Sequence, residues 1–141
     1  MTTMNDDAEI QQHAHLILRF RHRNGDVALI VNKLALPTGQ SWGIGDPIGS
    51  TSRLRSENFW SHKHVIIDRH FAKAVSDLID VCWKHRDDVK AFTASGGVVE
   101  FYLQLNGLVN SGDRLSTELL TKIVQLGANL DIEVFPAWAV G

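Results

Sequence analysis

Ala14-His15-Leu16-Ile17-Leu18-Arg19-Phe20-Arg21 decides the fold class, because its residues alternate in character. Ala14, Leu16, Leu18 and Phe20 fall on one side, and His15, Ile17, Arg19 and Arg21 on the other. A period of two is that of a β-strand with one face on a core and one face towards water. Two later stretches repeat it. Val99, Phe101, Leu103 and Leu105 alternate with Glu100, Tyr102 and Gln104, and Leu130, Ile132 and Val134 with Asp131, Glu133 and Phe135. Strands buried on both faces, as in fully parallel sheets, read instead as unbroken apolar runs.

Between these strands the period lengthens to that of a helix. Val27, Ile30, Val31 and Leu34 keep the spacing of one helix face behind a capping Asp26 and end before Pro37. Phe71, Val75, Leu78, Ile79 and Cys82 form the stripe of the longest helix, expected over Asp68–His85 with Asp68 as its cap. Arg86 to Ala94 adds a further turn, and Phe59 to His64 reads as a short strand. Ser116 caps a helix carrying Leu119, Leu120, Ile123 and Val124, closed by Gly127. Thr38 to Ser56, with Gly39, Gly43, Gly45, Pro47 and Gly49, excludes a continuous element. The expected architecture is α+β: a single mixed or antiparallel sheet of about four to five strands, helices packed on one face, and Leu103 and Ile132 in the core. Residues 1–12 read as a leader, 13–136 as one domain and 137–141 as a tail.

Composition narrows the function classes. The 141 residues are 44% apolar and 21% charged, with a net charge of −2. That balance fits one soluble globular domain and lacks the basic excess of a general nucleic-acid binder. No apolar run is long enough to span a membrane, and one cysteine, Cys82, forms no internal disulfide. The reading is a cytoplasmic protein with no nucleic-acid or membrane partner and no cofactor.

Leu36-Pro37-Thr38, Trp42 and Gly45-Asp46-Pro47 resemble the signature of a bacterial family known as domain of unknown function 4279. Leu119 and Leu120 in a helix, followed by Gly127-Ala128-Asn129-Leu130-Asp131-Ile132, are similar to its ending. The resemblance covers about Ala14 to Phe135 and implies the same order of elements. It implies no activity. Gly39 and Ile44 stand where members tend to carry basic residues.

Four sets of residues carry candidate chemistry. His62, His64, Asp68 and His70 follow the order of a metallo-β-lactamase-type motif, with the aspartate two residues late, and supply a metal-dependent hydrolase reading. The glycines at 43, 45 and 49 do not satisfy a dinucleotide fingerprint, and no Gly-x-Ser-x-Gly elbow is present. Cys82 lies on an apolar helix face, as an inert thiol does. Arg19, Arg21, Tyr102 and Phe135 share the sheet face away from the helices with Glu100, Asp131 and Glu133, a mix of cations and aromatics whose carboxylates oppose phosphate.

The leading reading is a non-catalytic protein-interaction or regulatory domain, a class that includes toxin-immunity roles. Its binding residues would be Trp42, Gly45, Asp46 and Trp60. The alternatives are the hydrolase and a small-ligand sensor with a pocket under the Trp42 loop. Trp42 itself is expected to fold back and plug the core, with the neighbouring glycines turning the chain.

Overall fold

The structure, a computed structural model, describes residues 11–138. Within these residues, one open mixed sheet of five strands carries four helices. The strands are β1 (Ala14–His22), β2 (Gln40–Trp42), β3 (Asn58–Ile66), β4 (Val98–Asn106) and β5 (Asn129–Phe135). Their order across the sheet is β2-β3-β1-β4-β5. The first four pair antiparallel, and β5 joins β4 in parallel. The helices are α1 (Ala28–Leu34), α2 (Ala72–Trp83), α3 (Arg86–Ala94) and α4 (Thr117–Leu126).

The alternation read from β1 now has a physical cause. Ala14, Leu16, Leu18 and Phe20 are wholly buried, as are Val99, Phe101 and Leu103 of β4. They meet Val75, Ile79 and Cys82 of α2, Val89 of α3 and Leu126 of α4 in one apolar cluster. Burial pushes the Cys82 thiol up to about 12, so it stays protonated and inert. No helix of the described residues is long and apolar enough to cross a membrane.

Asn24-Gly25 turns tightly over the ring of His22. A Cβ on Gly25 would lie 2.7 Å from His22 Nε2, so glycine is needed for this close approach. His22 Nδ1 accepts from the amides of Asn24 (3.3 Å) and Gly25 (2.8 Å).

The structure corrects several expectations. Asp68 does not cap the long helix, which starts at Ala72. Asp68 instead accepts from His70 N at 2.9 Å, and Ala72 N donates to Asp113 Oδ2 at 2.8 Å across 41 residues of chain. Arg86–Ala94 is a separate helix of nine residues. Thr38–Ser56 is not wholly irregular, because Gln40–Trp42 pairs with β3. Ile132 shares the helix side with its partner Leu103, as parity requires, yet stays 55% exposed on the edge strand β5. Trp138, assigned to the tail, lies 4.6 Å from His15 and packs edge-on to Phe135.

Candidate functional site

The sheet face away from the helices holds a groove of about 580 Å³. Register places each wall. Trp42 of β2 stands opposite Phe59 of β3, so both project from the open face. Tyr102 of β4 stands opposite Ile17 of β1, which forms the floor between the two sides. Gln40, Ser61, Lys63 and Gln104 complete the polar lining. Gly39 N donates to Ser61 O at 2.6 Å, and a Cβ there would lie 3.2 Å from that carbonyl.

Trp42 therefore does not plug the core. It stacks on Phe59 with ring centroids 4.1 Å apart and planes within 12°. The Arg55 guanidinium covers its other face, 3.8 Å from the ring centroid. A cation over an aromatic face is held by the ring quadrupole, and the stack keeps the indole in place while a minor part of it meets water.

Gly45 and Asp46 do not line the groove; they hold Arg55 in place. Gly45 N donates to Arg55 O at 2.9 Å, and Arg55 N donates to Asp46 O at 2.7 Å. Gly45 takes a φ of 88°, and the Asp46 carboxylate accepts from Gly43 N at 2.7 Å. Trp60 lies on the opposite face, 4% exposed, and its indole N–H donates to Thr38 Oγ1 at 2.8 Å. Neighbours in sequence, Phe59 and Trp60 thus serve the groove and the core respectively.

The charges on this face are mostly spent on one another. Arg19 lies over Tyr102 at 4.3 Å, and its guanidinium is 3.2 Å from both Glu100 and Asp131. The Arg19 Nε contact with Glu100 is an ion pair without hydrogen-bond alignment, since that nitrogen has no bonded acceptor. Arg21 pairs with Glu100 at 3.3 Å and Glu57 at 3.5 Å. The Tyr102 hydroxyl donates to Glu133, and burial followed by that bond raises its pKa. Among the described residues, Lys63 has no carboxylate partner. The His15 pKa is lowered, first by burial and then by the charge of Lys63.

The four histidine-motif residues do not converge. His62 and His64 line a separate cleft of about 200 Å³ against Leu36, Leu78 and Val81. His62 Nδ1 is bound to Pro37 O at 2.8 Å, while His70 Nδ1 is bound to Gly112 O at 3.0 Å beyond the end of β3. Among the described residues no three His, Cys, Asp or Glu side chains stand together as metal ligands do.

Sequence reading missed two serine–histidine contacts, His13 Nδ1 to Ser111 Oγ at 2.8 Å and His22 Nε2 to Ser95 Oγ at 3.0 Å. In the His22 pair, whose histidine is the more buried of the two, the proton arrangement is wrong for catalysis. Nδ1 accepts two backbone amides, so Nε2 carries the hydrogen and donates it. Ser95 Oγ in turn donates to Phe92 O at 2.8 Å. The ring has no free nitrogen with which to take the serine proton.

No family model matches this chain, and neither does any curated protein or solved structure.

Proposed function

We propose that this chain is a non-catalytic binding domain whose open sheet face takes a small, flat organic anion. One observation carries the reading: the groove is walled by Trp42, Phe59 and Tyr102, and its only charged lining residues among the described ones are the cations Arg19 and Lys63. Arg19 is neutralised by its carboxylates. Lys63 is left to meet the charge of a ligand. The amides of Gln40 and Gln104 and the Ser61 hydroxyl supply orientation, and the volume falls within the ~300–1,000 Å³ usual for small-molecule sites. No cysteine, carboxylate or acid–base pair lines the groove. The buried single thiol of Cys82 supports a reducing, cytoplasmic setting. As part of the same proposal we place the chain beside the family called domain of unknown function 4279, whose signature residues here supply Trp42 and the seat of Arg55.

The test uses 2-naphthoate and its neutral isostere 2-naphthamide in calorimetric titrations. The carboxylate is expected to bind more tightly by about fivefold, the scale of one exposed ion pair. Lys63→Gln removes that preference while leaving the amide affinity unchanged. Trp42→Ala weakens both ligands by about tenfold, the scale of the apolar wall that the edge of the indole gives the groove. Binding of neither compound, or binding that survives Trp42→Ala unchanged, overturns the reading.

A further inference from the structure

Four of the ten large aliphatic side chains left exposed among the described residues, Leu120, Val124, Ile132 and Val134, belong to α4 and β5. β5 ends the sheet, and its outer edge pairs with no other described strand. Ile132 and Val134, on its helix side, are 55% and 57% exposed. On α4, Lys122 reaches Asp80 of α2 at 3.1 Å. Residues two positions away along a helix lie about 200° round, on the opposite flank. Leu120 and Val124 therefore turn away from α2, and both are exposed on the helix that leads directly into β5. With Ile132 and Val134 they give the α4–β5 unit four exposed aliphatic residues beside an open strand edge. Proteins usually blunt such an edge with lysine, proline, a bulge or a covering element. The segment NLDIEVF contains no lysine or proline, and its register with β4 runs without interruption.

The other side of β5 is acidic. Asp131 shares Arg19 with Glu100, and Glu133 accepts from the Tyr102 hydroxyl without a cation of its own among the described residues. This decides between two occupants. A second copy laid antiparallel would set Asp131 and Glu133 against the same residues of its twin, and like charges directly opposite one another repel. An extended strand alternating basic and aliphatic residues satisfies both sides at once.

We infer that the β5 edge is a strand-addition site for an extended segment of another protein in which basic and aliphatic residues alternate. The partner's main chain pairs with the outward amides and carbonyls of β5. Its lysines or arginines lie on the Asp131 and Glu133 side, and its aliphatic residues extend over Ile132, Val134, Leu120 and Val124. Its acidic side adjoins the groove, since Asp131 holds Arg19 and Glu133 holds Tyr102, but it needs no ligand there.

Two synthetic peptides test it, each about as long as β5 and of identical composition, one alternating Lys and Val and the other with Lys and Val segregated. The alternating peptide is expected to bind, to shift the amide resonances of β5 and to protect them from hydrogen exchange. The segregated peptide is expected to bind roughly tenfold more weakly, since it loses a few cross-strand pairs. Ile132→Lys, at an exposed position, removes the difference without changing the melting temperature. Equal affinity for the two peptides would assign the effect to bulk charge and overturn the inference. So would an absence of binding, or shifts confined to other strands. A dimer seen in sedimentation and lost in Ile132→Lys would give the edge to a second copy and overturn it likewise.

Discussion

Trp42 and Trp60 stand opposite neighbouring residues of the β2–β3 pair, yet they do different work. Trp60 is 4% exposed, packs edge-on to Phe20 at 5.9 Å, and satisfies its N–H on Thr38. Trp42 has no core contact of that kind; a phenyl ring and a guanidinium hold it on the open face. The difference follows from register alone. Ser41 is the residue opposite Trp60, so Trp42 falls opposite Phe59 and must project the other way. One sheet therefore has a face packed on the core and a face left open. Aromatic content does not distinguish them; the packing behind each ring does.

Truncating both tryptophans is the strongest test of that contrast. Trp60→Ala leaves a cavity in the apolar cluster and should cost ~3–5 kcal/mol. Trp42→Ala loses one stacked pair and one cation contact, and should cost about 1 kcal/mol. Denaturant melts of the two variants measure both. Equal losses would mean that Trp42 does plug the core and that the groove is a structural seam.

The ease with which each part could be read from sequence follows the same division. The strands of the core were legible because burial of the helix-side residues imposes an alternation of residue type along β1 and β4, and the α4 termini because Ser116 and Gly127 act within a few residues. Ser116 Oγ accepts from Leu119 N at 3.2 Å, and Gly127 takes a φ of 72°. The groove was only partly legible. Arg19 and Tyr102 could be assigned to the open face by parity, but β2 is three residues long, too short for a period to show. Its pairing, and hence the direction of Trp42, depends on a partner strand that begins 16 residues later, at Asn58 after Trp42. Gly45 and Asp46 looked like ligand contacts because a loop's job of seating one distant arginine leaves no local pattern.

Leu103 and Ile132 give a second contrast on the helix side itself. They are paired in register and share a face, but Leu103 is wholly buried and Ile132 is 55% exposed. Leu103→Ala should cost ~2–5 kcal/mol, and Ile132→Ala no more than about 1 kcal/mol, the span of strand propensity. Thermal melts decide it. A large loss at Ile132 would show that the border is covered in solution, as the sequence pattern alone suggests.

The smallest expected effect concerns the start of α2, where a distant carboxylate replaces the local cap. Phe71 occupies the cap position with no side-chain bond, and the first turn of α2 has no acidic residue. Asp113 fills the gap: its carboxylate accepts from Ala72 N at 2.8 Å and from Arg114 N at 2.7 Å. Those two backbone bonds, the Ala72 one foremost, hold the Asp113 pKa below the usual aspartate value, with the nearby His70 adding to the same direction. A carboxyl whose folded pKa is depressed favours the folded state fully above its unfolded pKa. That contribution disappears as the pH falls through the folded value. Asp113→Asn keeps an oxygen able to accept from Ala72 but removes the charge at the helix N-terminus. The variant should therefore melt slightly below the wild type at neutral pH, and the gap should close on the acid side of the ordinary aspartate range. Because the side chain is fully exposed, high salt should narrow the gap as well. A gap that stays constant down through acid pH would mean that Asp113 acts by shape, through its hydrogen bonds alone, and that its charge does nothing for α2.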